Sequence, residues 1–147
     1  MKIEGHCHCG AIAWEAQVIA SHHTLRRTSL YTPDDPDRPN ERWISAHSGF
    51  HHSLLAGCGS RRLLTVATSL REVAEVYRQW SLPRGGDRDR DGAGEHQAIL
   101  DAAVVREADR AVALYVEHIE HTTEALLRSF AQPTGHVRAG QAGGASA

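Results

Sequence analysis

From Glu41 onward the chain repeats apolar residues at spacings of three and four, the period of a helix with one buried face. Trp43, His47, Phe50, His51, Leu54 and Leu55 form one such stripe and predict a helix over 41–56. The segment 57–60 ends it, with Gly59 as the stop. Leu63, Leu64, Val66, Ala67, Leu70, Val73, Ala74 and Tyr77 predict a second helix over 61–80. Pro83 and the charged, glycine-rich run 84–92 break it and read as a solvated loop. Ile99, Leu100, Ala103 and Val104 mark a third helix over 94–106. A fourth, over 108–130, is the longest, and Ala111, Leu114, Tyr115, His118, Ile119, Thr122 and Leu126 share one of its faces. Pro133 and Gly135 stop it, and the tail 139–147 is low in complexity and expected to be disordered. The front of the chain has a different texture. Residues 11–18 roughly alternate apolar with small or polar side chains, which predicts a short strand. Residues 19–41 show no clear period and include a stretch rich in turn formers, 33–40.

Composition narrows the options. A chain of 147 residues has room for one core, and a net charge of −2 provides no basic field to hold nucleic acid by charge alone. No apolar run is long enough to span a bilayer, and the first five residues carry no signal core, so a cytoplasmic chain with no membrane partner is expected. Three cysteines, Cys7, Cys9 and Cys58, are too few and odd in number for a disulfide framework and fit a reducing compartment. No catalytic triad, phosphate loop or pair of carboxylates stands in a suitable setting, so the pattern does not point to an enzyme.

The eleven histidines are the unusual number. Neutral imidazole is a good ligand for zinc and similar ions, and a metal site in a helical bundle needs ligands projecting inward from facing helices. His47 and His51 are four apart and therefore stack on one helix face, in line with Trp43 and Leu54. His96 opens the third helix and His118 lies mid-face on the fourth, so four imidazoles from three helices can converge. The alternative is that each is a core residue satisfied by a hydrogen bond. His52 and His121 fall off the stripe centres, and His22 and His23 lie in unpatterned sequence where solvent exposure is the default.

At these residues the text resembles a known family. Residues 50–64, reading FHHSLLAGCGSRRLL, resemble the FH-x-A-L-L-A-x-C-G-S-x-x-L-L signature of the FCD domain, the effector module of the FadR branch of GntR transcription regulators. Residues 95–102, EHQAILDA, are similar to its E-H-x-A-I-L-D-A segment, and Asp109 to Leu114 followed by Glu117, His118 and Ile119 is similar to its last motif. Order and gaps agree over about residues 33–130. The resemblance implies an all-α fold, an antiparallel helical bundle (a truncated FCD-like one), with a short irregular or β-like N-terminal segment. It also implies a divalent metal, zinc or nickel, held at the positions occupied here by His47, His51, His96 and His118. The first of these departs from the family's usual Asp or Asn, although an imidazole there can still ligate. In the family the metal lies on the floor of a pocket, where it holds structure or binds the carboxylate of a small organic acid. Arg78 could add a bidentate contact to such an acid, or could be a solvated helix charge. A homodimer is implied, with DNA reached only through a winged helix-turn-helix head.

No recognition helix is visible before Trp43, and Arg26 and Arg27 do not make one. The family's first helices are also not apparent there. Instead, residues 5–12, GHCHCGAI, resemble the opening of the glutathione-dependent formaldehyde-activating family, a zinc-binding β fold whose first two cysteines would be Cys7 and Cys9. The later cysteine motifs of that family are lacking, and two thiolates do not complete a structural zinc site. The domain reading is therefore a fragment of that kind over 1–18, a linker over 19–41, an FCD-like ligand-binding domain over 42–131 and a tail over 132–147. The expected function is metal-assisted sensing of a small carboxylate, without a head. The alternatives are a zinc-dependent carbon–sulfur lyase using Cys7 and Cys9, and an inactive gene fragment.

Overall fold

The computed structural model describes residues 10–81 and 90–131. Cys7, Cys9, most of the charged loop after the second predicted helix and the tail lie outside the described residues. Five helices dominate: α1 (Ala11–Arg26), α2 (Glu41–Ala56), α3 (Arg61–Ser81), α4 (Gly92–Val104) and α5 (Ala108–Ala131). A two-stranded antiparallel hairpin, β1 (Tyr31–Thr32) and β2 (Asp35–Pro39), joins α1 to α2.

The four helices predicted after Glu41 are present, with ends within two residues of their expected places. Their caps explain the boundaries. The Asn40 side chain accepts from the Arg42 amide at 3.0 Å and starts α2. Asp91 accepts from the Gly94 amide at 2.8 Å and starts α4. Gly59, at φ +65°, provides the left-handed turn between α2 and α3.

The strand expected over 11–18 is instead the first half of α1, and 19–26, read as linker, is the second half. Residues 11–26 contain neither Gly nor Pro and include four alanines, the strongest helix former. The buried positions of α1 are Val18, His22 and Leu25, which are helical in spacing. Because the middle one is a histidine, a search for apolar letters does not see the period. The expectation that His22 is solvent-exposed fails for the same reason: it is 3 % exposed.

The helices make a closed circuit of neighbours: α1 packs on α2, α2 on α3, α3 on α5, α5 on α4, and α4 back on α1. Val18, Leu25, Phe50 and Leu100 form the apolar cluster, flanked by Trp14, Trp43 and Leu54. Trp14 Nε1 donates to the Ser53 carbonyl at 2.9 Å and ties α1 to α2. That contact requires Gly57, because a Cβ there would lie 2.7 Å from the indole nitrogen. Among the described residues the buried set holds seven hydrophobic and seven polar side chains, five of the latter histidines. The circuit therefore encloses a polar centre and not only an oily one. No helix among the described residues is long and apolar enough to cross a membrane.

Candidate metal centre

The polar centre is built from α2, α4 and α5. His47 and His51 stand one turn apart on the inner face of α2, His96 lies in the first turns of α4, and His118 is mid-way along α5. All four are buried, at 5, 0, 5 and 6 % exposure respectively. One ring nitrogen from each lies within 4.8 Å of those of the other three. His51 Nε2 is 3.1 Å from His47 Nε2 and 3.3 Å from His96 Nε2.

These distances test the fit of a metal. A tetrahedral zinc with nitrogen bonds of about 2.0–2.1 Å has neighbouring ligand nitrogens about 3.3 Å apart. Each nitrogen pair also needs one N–H and one lone pair if it is to be a hydrogen bond, and His51 Nε2 faces two partners at once. The Nδ1 atoms of His47 and His51 are buried without a hydrogen-bond partner among the described residues. Ring nitrogens clustered in this way are poorly satisfied by each other, and a divalent cation among them would take one lone pair from each ring, leaving Nδ1 of His47 and of His51 as N–H groups.

The environment keeps the rings neutral, the form that ligates. Burial lowers His47 to about 4, opposed by the nearby Glu75 carboxylate. Burial, reinforced by the neighbouring His47 and His118, lowers His96 to about 2. His51 is held well below the usual imidazole range, and His118 is also lowered, in both cases chiefly by burial.

A cavity of about 400 Å³ opens onto this centre. His47, His96 and His118 line it, while His51 lies behind them and makes no part of the wall. Arg26, Arg71, Arg78 and Arg90 line it as well. Arg78 is committed: its guanidinium grips Glu75 through Nε at 2.9 Å and through Nη2, and it sits 4.6 Å over the Trp43 ring. Trp43 in turn stacks on His47 with centroids 4.6 Å apart. Arg90 grips Glu95, from Nε to Oε1 at 2.7 Å and from Nη2 to Oε2 at 2.5 Å. Arg71 Nη1 reaches the Tyr115 hydroxyl at 3.5 Å. The Tyr115 ring is 5.5 Å from that of His51.

The FCD domain profile matches residues 13–121, about three-quarters of the chain. The chain belongs to the FCD domain family. Two relatives agree. It is 32 % identical over 113 residues to the HTH-type transcriptional repressor GlaR of Escherichia coli strain K12, covering 75 % of this chain and 50 % of that protein. It is 31 % identical over 121 residues to BphR of Paraburkholderia xenovorans strain LB400, described as an uncharacterized HTH-type transcriptional regulator, covering 82 % of this chain and 49 % of that one. The chain thus spans about half the length of the curated relatives it matches. No solved structure matches it significantly.

The FCD match begins inside α1, so it takes in a helix that the alternating pattern of 11–18 had set apart. Sequence reading names the four inward imidazoles, which cluster together, and Arg78, which lines the cavity beside three of them. It missed His22, Arg71, Glu75, Arg90 and Glu95. His22 also lines the cavity, yet it falls outside the four-imidazole cluster. Glu95, next to His96 and in line with His118, was the one with a signal: an acid on the first turn of a helix whose next residue is a candidate ligand.

Proposed function

We propose that this FCD domain is the effector-sensing module of a GntR-type transcription regulator. It holds a divalent metal, zinc or nickel, through His47, His51, His96 and His118 and takes a small organic acid in the adjoining cavity. The observation that carries this reading is the convergence of four buried imidazole nitrogens within 4.8 Å, three of their rings lining a cavity of about 400 Å³. Four neutral ligands leave the full +2 charge of the ion uncompensated, so the bound metal supplies an electrophilic site for a carboxylate.

The cavity's arginines favour the same class of ligand. Arg78 and Arg90 are each paired with a carboxylate, and Arg26 is exposed and donates to the Gln97 side chain, whereas Arg71 is partly buried and no salt bridge to it is present among the described residues. Arg71 is therefore the guanidinium best placed to receive the acid, and Arg78 shapes the wall through Trp43. In this reading the chain works in the cytoplasm, DNA is reached only through a separate head domain, and effector binding shifts the relative placement of two such heads. The chain pairs with a second copy of itself. Support for that pairing comes from α3, where Leu63, Val66, Leu70, Val73 and Tyr77 are exposed at alternating spacings of three and four, the seam of a two-helix contact.

Elemental analysis of the purified protein, followed by thermal melting with citrate, lactate and similar acids, tests the proposal. We expect about one zinc or nickel per chain and a rise in melting temperature on adding the right acid, because a ligand of the native state stabilises it by mass action. His96→Ala with His118→Ala removes both metal and acid response, while Arg71→Ala keeps the metal and loses the acid response. A metal-free protein that also fails to take up added zinc contradicts the reading.

A further inference from the structure

Two of the four imidazoles have a carboxylate behind them, and the two carboxylates are not equivalent. His118 Nδ1 lies 2.7 Å from Glu95 Oε2, a hydrogen bond, whereas His47 Nδ1 lies 3.6 Å from Glu75 Oε2, which is too long for one. An ionised carboxylate only accepts, so the proton of that short contact belongs to His118 Nδ1 and its lone pair to Nε2. Arg90 Nη2 also stands 3.1 Å from His118 Nδ1, but a guanidinium has no acceptor and Nδ1 has no second lone pair to offer it. The guanidinium's real partners are Glu95, the His118 carbonyl at 2.9 Å and, from Nη1, the Thr122 hydroxyl at 3.0 Å. The close ion pair with Arg90 keeps Glu95 a carboxylate.

We propose that Glu95, clamped by Arg90, is the positioning residue of this centre: it fixes the tautomer and orientation of His118 so that Nε2 faces the metal. The same turn of α4 then supplies both a ligand, His96, and the carboxylate that aims the ligand on α5. Such a partner raises the basicity of the imidazole and restricts its rotation, and its loss typically weakens metal binding about 10–100-fold. The inference rests on the four-imidazole reading given above.

The test is a chelator-competition titration with zinc, and a visible-absorption titration with cobalt, on the whole chain as wild type, Glu95→Ala and Glu95→Gln, each first melted without metal. Glu95→Ala is expected to weaken zinc binding by about 10–100-fold and to perturb the cobalt spectrum. Glu95→Gln, whose amide oxygen can still accept from Nδ1, is expected to lose less. A purely structural role would lower the metal-free melting temperature of the variants and leave the affinity and spectrum of the folded protein unchanged, which overturns the proposal. Wild-type affinity in Glu95→Gln together with an undisturbed Glu95→Ala overturns it equally. A wild type that binds neither ion removes the centre itself, a failure distinct from that of Glu95.

Discussion

Helices α2 and α3 follow one another and share a helical period, yet the apolar stripe of α2 faces the bundle and much of that of α3 faces away from it. The inner face of α2 carries His47, Phe50, His51 and Ser53, all buried. The inner face of α3 carries Arg71, Glu75 and Arg78, while its Leu63, Val66, Leu70, Val73 and Val76 are more than half exposed. In α2 the inward polar groups face others around a common point; in α3 the charged side lines the cavity and the apolar side lies outside. Hydrophobic periodicity thus reports that a face exists but not which way it points. The direction is decided by what the other helices enclose.

The largest expected break in this contrast is thermodynamic. Phe50, 0 % exposed at the contact of α1, α2 and α4, should lose about 3–5 kcal/mol on Phe50→Ala. Leu70→Ala, at a position 67 % exposed, should change the stability of the single chain by no more than about 0.5 kcal/mol. Denaturant melts at low protein concentration check both, and equal losses would mean that the α3 stripe is packed within the chain.

Next in size is the response to acid. The buried imidazoles have folded-state values below the ordinary 6.5, to about 4 for His47 and about 2 for His96. The unfolded chain therefore takes up protons first as pH falls. Stability of the metal-free protein is full above 6.5 and declines from there through about 4, by up to about 1.4 kcal/mol per pH unit for each such histidine. Bound metal requires the same neutral rings, so the folded protein should keep zinc until the pH approaches the lowered value of His47, about 4. Melting curves from pH 7.5 to 4 check the sign, and a chain that grows more stable toward pH 5 contradicts buried neutral imidazoles.

The smallest expected change in stability accompanies a change in association. Leu70→Glu with Val73→Glu should convert a dimer into a monomer in sedimentation velocity while the centre still takes up zinc. A variant that remains dimeric places the contact between copies elsewhere.

The parts legible from sequence were those in which several letters agree. Helices α2 to α5 declared themselves through long stripes and breakers, and the four imidazoles through their places on those stripes. Helix α1 was hidden because its stripe runs through His22 and its alanines count neither as apolar nor as polar. Arg90 and Glu95 were hidden for another reason. Their role depends on a contact between the start of α4 and the middle of α5, 23 residues from Glu95 to His118, which no local period encodes. Arg78 was legible as a cavity residue but not as the partner of Glu75 and Trp43.

The central claim is that histidines alone hold the ion. X-ray absorption at the zinc edge on the purified chain measures this directly. The account predicts nitrogen scatterers at about 2.0–2.1 Å with imidazole outer-shell features and no sulfur. Sulfur at about 2.3 Å, the mark of Cys7 and Cys9 thiolates, would contradict it.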